Sequence, residues 1–111
     1  MARRGSGDLE LLVMLAILRL GEEDAYAVSI VDALREHAGR EVKRATVYVT
    51  LQRLENKGLI SSRLGEPLPQ RGGKARRLVR LEAAGLETVR STRQTYRAMW
   101  KGLEPVLEGT K

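Results

Sequence analysis

The chain has 111 residues with no Cys and a single His, and 20 Lys and Arg against 14 Asp and Glu give it a formal net charge of +6. That length holds one core and a helix or two besides; without thiols or a second imidazole to join His37, neither disulfides nor a metal site nor any other cofactor is expected. An enzyme is not expected either: there is no nucleophile elbow and no evident carboxylate pair, and Gly72-Gly73-Lys74 lacks both the upstream Gly and the following Ser or Thr of a phosphate-binding loop.

In chain order, Arg3 and Arg4 read either as a flexible basic arm or as a disordered terminus. The apolar stretch after them is interrupted by Asp8, Glu10 and Arg19, too often for a signal peptide or a membrane span, so a soluble, cytoplasmic protein is expected. Asp8 is a good N-cap for a first helix, with Leu9, Leu12, Val13, Ala16, Ile17 and Leu20 at helical spacing and Gly21 as its stop. Asp24 caps a second, whose stripe is Ala27, Ile30, Val31, Leu34 and Ala38, ended by Gly39. A third spans about Ala45 to Lys57, with Val47, Tyr48, Leu51 and Leu54 inward and Gly58 beyond.

The pattern then turns to strands over Leu59 to Leu64 and Ala75 to Leu81, separated by a loop holding Pro67, Pro69, Gly72 and Gly73, which makes a wing with an exposed tip. From about Ala83, Leu86, Val89, Arg93, Tyr96, Trp100, Leu103 and Leu107 alternate by three and four, a heptad seam that asks for a partner helix, and a second copy of the chain is the favoured one. Gly102 and Pro105 predict a kink or break between them. The fold class expected is therefore mostly α with a small two-stranded wing, a winged helix-turn-helix over residues 1–81 followed by a C-terminal dimerisation helix over 82–111.

Charge is concentrated within this plan. From Lys43 to Arg80 ten Lys and Arg face only Glu55 and Glu66, the distribution of a polyanion-binding face. On the third helix Thr46, Thr50, Arg53 and Lys57 form one polar stripe, suited to phosphates, thymine methyls and guanine edges. Tyr48, although the periodicity turns it inward, is kept among the DNA-binding candidates. Lys43 and Arg44 precede the helix, where its dipole already attracts phosphate. Arg71, Lys74, Arg76 and Arg77 cluster at the wing, as minor-groove and backbone contacts.

In this order and spacing, Leu11 to Leu20 with Gly21, Asp24-Ala25-Tyr26, Ala45-Thr46-Val47-Tyr48, Arg53-Leu54-Glu55, Lys57-Gly58-Leu59-Ile60, Arg76-Arg77 through Leu81, and Gly85 resemble the PadR-like regulators, in their short form with one C-terminal dimerisation helix. Ala25 stands where that family usually has Gly, Val79 where it often has Tyr, and Glu82 where it favours a Thr cap. The resemblance implies a transcriptional repressor, in some members released by aromatic or hydrophobic compounds bound between or beside the dimer helices. Counted from Gly85, the ligand-stacking aromatic falls at Tyr96, with Trp100 a turn further on; the preferred reading is that both rings simply fill the dimer seam formed with Leu86, Val89 and Leu103.

The function expected is a homodimeric regulator reading a pseudo-palindromic double-stranded operator, with a small hydrophobic or aromatic effector as a candidate partner. An RNA-binding winged-helix module is the alternative, since Arg71-Gly72-Gly73 and basic strands suit RNA. Against it, the chain has no Phe and four aromatic residues in all, too few for a base-stacking platform.

Overall fold

A computed structural model describes residues 6–66 and 75–109, with side chains from Asp8 onward. Three helices, α1 (Ser6–Leu20), α2 (Ala27–Ala38) and α3 (Arg44–Asn56), are followed by strands β1 (Ile60–Leu64) and β2 (Arg77–Leu81) and by helices α4 (Ala83–Trp100) and α5 (Glu104–Leu107). The three-helix core closes on Val13, Ile30, Leu34, Val47 and Leu54, all fully buried. Ala38, expected in the inward stripe of α2, is exposed at its last turn. The order of elements is the expected winged helix-turn-helix.

The stops are where the glycines are, because Gly21, Gly39 and Gly58 take the positive φ that ends a helix without strain. The starts differ from expectation. Asp8 lies inside the first turn of α1, and its carboxylate accepts a hydrogen bond from Arg40 at 2.8 Å, tying α1 to the turn before α3. Asp24 does not cap α2 either. That helix begins after Tyr26, whose N–H donates to the Ser29 hydroxyl at 3.0 Å, while the hydroxyl proton points back to the Asp24 and Tyr26 carbonyls. A serine in the first turn thus does the work assigned to the aspartate.

Strands β1 and β2 are antiparallel in the register Ile60↔Leu81 to Leu64↔Arg77. The far edge of β2 is not left open: Val79 N–H donates to the Ala25 carbonyl at 2.9 Å, so the strand is held between β1 and the entry to α2. Leu78 and Val79 are buried there, and Ala25 is fully enclosed, so both departures from the family pattern are absorbed by the core.

Glu82 occupies the N-cap of α4 without a side-chain cap bond; its carboxylate accepts from the Ser61 hydroxyl and its N–H donates to the Leu59 carbonyl. Gly85, one turn on, lies so close to Leu59 that a Cβ there would fall 2.2 Å from the same carbonyl oxygen. The heptad seam is consequently split. Val89 packs against the chain's own core and Leu86 lines a small crevice with Ile17 and Leu18; Val89 and Leu86 are both only partly buried. Tyr96, Met99, Trp100, Leu103, Val106 and Leu107 are exposed. The break falls over Lys101–Leu103, just ahead of the place expected, with Gly102 at positive φ. Pro105 then sits in the first turn of α5, where its missing N–H costs nothing. No helix among the described residues is long and apolar enough to cross a membrane.

The Gly85 contact is with backbone, which cannot rotate away. Gly85→Ala is expected to lower the unfolding free energy by about 1–3 kcal/mol in urea titrations.

Candidate nucleic-acid interface

Helix α3 is amphipathic about an axis set by Val47, Thr50, Leu51 and Leu54, its buried residues. The side opposite carries Ala45, Val49, Gln52 and Asn56, spaced i, i+4, i+7 and i+11 and all exposed. Thr46 and Arg53 flank this stripe on one side, Tyr48 and Glu55 on the other, and all four are exposed.

This geometry moves the outer face by about a quarter turn from the expected Thr46-Thr50-Arg53-Lys57 stripe. Thr50 is 4 % exposed, and its hydroxyl donates to the Thr46 carbonyl at 2.9 Å, which satisfies it inside the core and removes it from a surface role. Lys57 is the C-cap of α3, and its ammonium lies 2.8 Å from the Glu10 carboxylate, a pair that fastens the end of α3 to α1. Tyr48, expected inward by periodicity, is 52 % exposed, in keeping with its place among the contact candidates.

Lys43 and Arg44 stand exposed at the start of α3, with no acidic residue in its first turn to neutralise them. Two like charges beside the positive end of a helix dipole weaken the free helix and favour an anion there.

Just before β2, the Arg76 guanidinium lies over the Tyr26 ring, 4.8 Å from its centroid, and Arg76 Nε is buried with no hydrogen-bond partner among the described residues. Arg77 donates to the Ser62 hydroxyl at 2.7 Å, and that hydroxyl lies 3.3 Å from the Glu55 carboxylate, a relay joining both strands to α3. Tyr26, Tyr48, Gln52, Glu55, Arg76 and Arg77 border one open cleft of about 780 Å³ between α3 and the base of the wing. Arg71 and Lys74, the other two wing candidates, lie outside the described residues, as do Arg3 and Arg4.

The remaining cations of the basic segment are drawn elsewhere. Arg63 lies 3.5 Å from Glu23 and Arg80 3.6 Å from Glu82, both away from the cleft. On α4, Tyr96 and Trp100 meet edge to face, their centroids 5.7 Å apart. No cluster of three or more metal-ligating side chains occurs among the described residues.

Sequence reasoning missed Val49, Gln52 and Tyr26. The first two were within reach: Thr50 is three residues from Val47 and four from Leu54, the spacing of an inward position, and placing it inside turns Val49 and Gln52 out. Tyr26 was not, because its partner Arg76 is fifty residues away and is brought to it by the pairing of β2 with Ala25.

Comparison with known proteins bears on the whole of this arrangement. The family model described as "Transcriptional regulator PadR-like family" matches residues 14–98. A PadR family transcriptional regulator from Eggerthella lenta is 30% identical, with 94% of this chain and 91% of that chain covered and a TM-score of 0.66. A PadR family transcription regulator from Clostridium difficile is 25% identical over 89% of this chain and 97% of that one, with a TM-score of 0.70. A Streptococcus transcriptional regulator is 27% identical over 96% and 98% of the two chains, with a TM-score of 0.71. No curated protein matches the chain.

Proposed function

The chain belongs to the PadR-like family of DNA-binding transcriptional regulators, and from that premise we propose that it is a repressor that binds a pseudo-palindromic operator as a homodimer in the cytoplasm. The observation that carries the DNA side of this reading is the cleft beside α3. Gln52 of the outer face and the arginines Arg76 and Arg77 at the start of β2 border it, and Lys43 and Arg44 stand exposed where the same helix begins.

With α3 in the major groove, the flanking strand of phosphates runs between α3 and the wing. Arg76, stacked on Tyr26, would meet it with its guanidinium. Arg53, exposed on the flank of α3, reaches a base edge or the adjoining phosphate.

The homodimer rests on the exposed second half of α4 together with α5. Tyr96, Trp100 and Leu103, joined by Met99, Val106 and Leu107, give an apolar face with no cover from the chain's own core. Residues 1–81 would then serve DNA and residues 82–111 association, with the two α3 helices about one DNA turn apart, roughly 34 Å. Tyr96 and Trp100 fill this seam in the proposed dimer. A hydrophobic or aromatic effector would release DNA only by binding unequally to two dimer shapes with different spacing of the α3 pair.

Selection of bound sequences from a random double-stranded pool tests the reading. A two-fold-symmetric motif whose affinity falls steeply with salt is the expected outcome, and enrichment of RNA alone in a parallel pool would refute it. On the selected duplex, Arg53→Ala is expected to cost about 1–3 kcal/mol of binding free energy, measured by fluorescence anisotropy. Trp100→Asp places a charge in the seam and is expected to give monomers in sedimentation equilibrium; a dimer that survives it would remove the seam from the assembly.

A further inference from the structure

The four side chains that α3 turns fully outward, Ala45, Val49, Gln52 and Asn56, are all uncharged. Val49 is 53 % exposed. A β-branched apolar residue on the outer face of a helix adds nothing to the core and slightly disfavours the helix, so its chemistry there is unexplained by folding. Arg53 stands on one flank of this stripe and Glu55 on the other, with Lys43 and Arg44 at the helix start and Arg76 and Arg77 across the cleft that Gln52 borders. The rim selects a polyanion, and what touches the centre must be the part of that polyanion which is neutral and partly apolar.

In the major groove only thymine presents a methyl group, which accepts contact from Ala and Val. The other two residues of the stripe are primary amides, the groups that pair bidentately with N6 and N7 of adenine. Gln52 Nε2 donates to Asn56 Oδ1 at 3.1 Å, so the two amides hold each other on the outer face before DNA arrives. Every member of the stripe thus falls on the A·T side of the major-groove pattern. The two arginines of the helix, able to favour guanine, lie off the stripe, Arg53 on its flank and Arg44 at the helix start.

We infer that α3 specifies A·T base pairs at the centre of each operator half-site, Val49 seating a thymine methyl with Ala45 beside it and Gln52 with Asn56 engaging adenine. This rests on the operator reading above and adds which bases are read and by which side chains. Of the three hydroxyls on α3, those of Thr46 and Tyr48 lie on residues at the edges of the face rather than in it, and Thr50 is inside the core.

Replacing thymine by deoxyuridine removes the methyl and leaves pairing and phosphates intact. The selected duplex, with deoxyuridine substituted for the thymines under α3, is expected to bind the full chain about four-fold more weakly for each seated methyl. Val49→Ala is expected to bind the thymine duplex more weakly by a similar factor and to lose nothing further at the position Val49 occupies when that thymine becomes uridine. The variant swaps an exposed side chain for a better helix former, so its fold is retained, with circular dichroism as the check. Equal affinity of the unaltered chain for thymine and uridine duplexes would overturn the inference, as would an undiminished uridine penalty in Val49→Ala or a selected half-site of G·C pairs alone. Those results leave duplex binding intact; failure to bind any duplex would instead overturn the operator reading itself, and this inference with it.

Discussion

The cleft between α3 and the base of the wing depends on one backbone hydrogen bond, from Val79 N–H to the Ala25 carbonyl. Both residues are buried, and an unpaired amide and carbonyl in that position would each carry a desolvation penalty of about 1–3 kcal/mol. A two-stranded hairpin on its own is marginal in water. Pinned to the entry of α2 along its second edge, β2 becomes part of the core, and its arginines inherit the rigidity of the helices. Arg76 is thereby laid on Tyr26, and Arg77 is brought to Ser62 and through it to Glu55 of α3. The small size of Ala25 matters here, since a larger side chain at a fully enclosed position would push the strand away.

The same economy governs the charges. A basic segment reads as one cationic surface, but the fold divides it. Lys57, Arg63 and Arg80 lie near carboxylates of their own chain and help to fasten α3, β1 and β2 to their neighbours. Lys43 and Arg44, at a helix start without acidic residues, are arranged at a cost to the free protein that an anion would relieve. Glu10 is the counterpart of this division: mostly buried, it holds the ammonium of Lys57, whose side chain otherwise stays exposed.

Helices were legible in the sequence because a 3.6-residue period and a terminal glycine are both local signals. Gly21, Gly39 and Gly58 mark the observed ends of α1, α2 and α3, and the two strands lie within the stretches that lost helical periodicity. What was not legible depends on competition between alternatives. Asp24 and Ser29 are both competent caps, and the choice between them is settled by the backbone path from Gly21 to Tyr26. Thr50 is polar by type yet buried, because its hydroxyl has a carbonyl one turn back to satisfy it. The heptad spacing of the last segment was real, but whether a heptad position faces a partner or its own core is a tertiary matter: Val89 is over the core, and Trp100, three turns on, is beyond its reach. Pro105 was read as a breaker when the residues before it had already ended the helix, which leaves it at a favourable start.

Two surfaces are thus distinct, a cationic one on α3 and at the start of β2 and an apolar one on α4 and α5. Amide chemical shifts of the isotopically labelled protein, followed as the selected duplex is added, separate them directly. If DNA crosses α3 and the base of the wing, the changes concentrate in residues 43–56 and 75–77, while residues 96–107 hold their positions apart from broadening. Changes confined to α4 and α5, with α3 unmoved, would contradict the assignment of the cleft and the outer face of α3 to DNA.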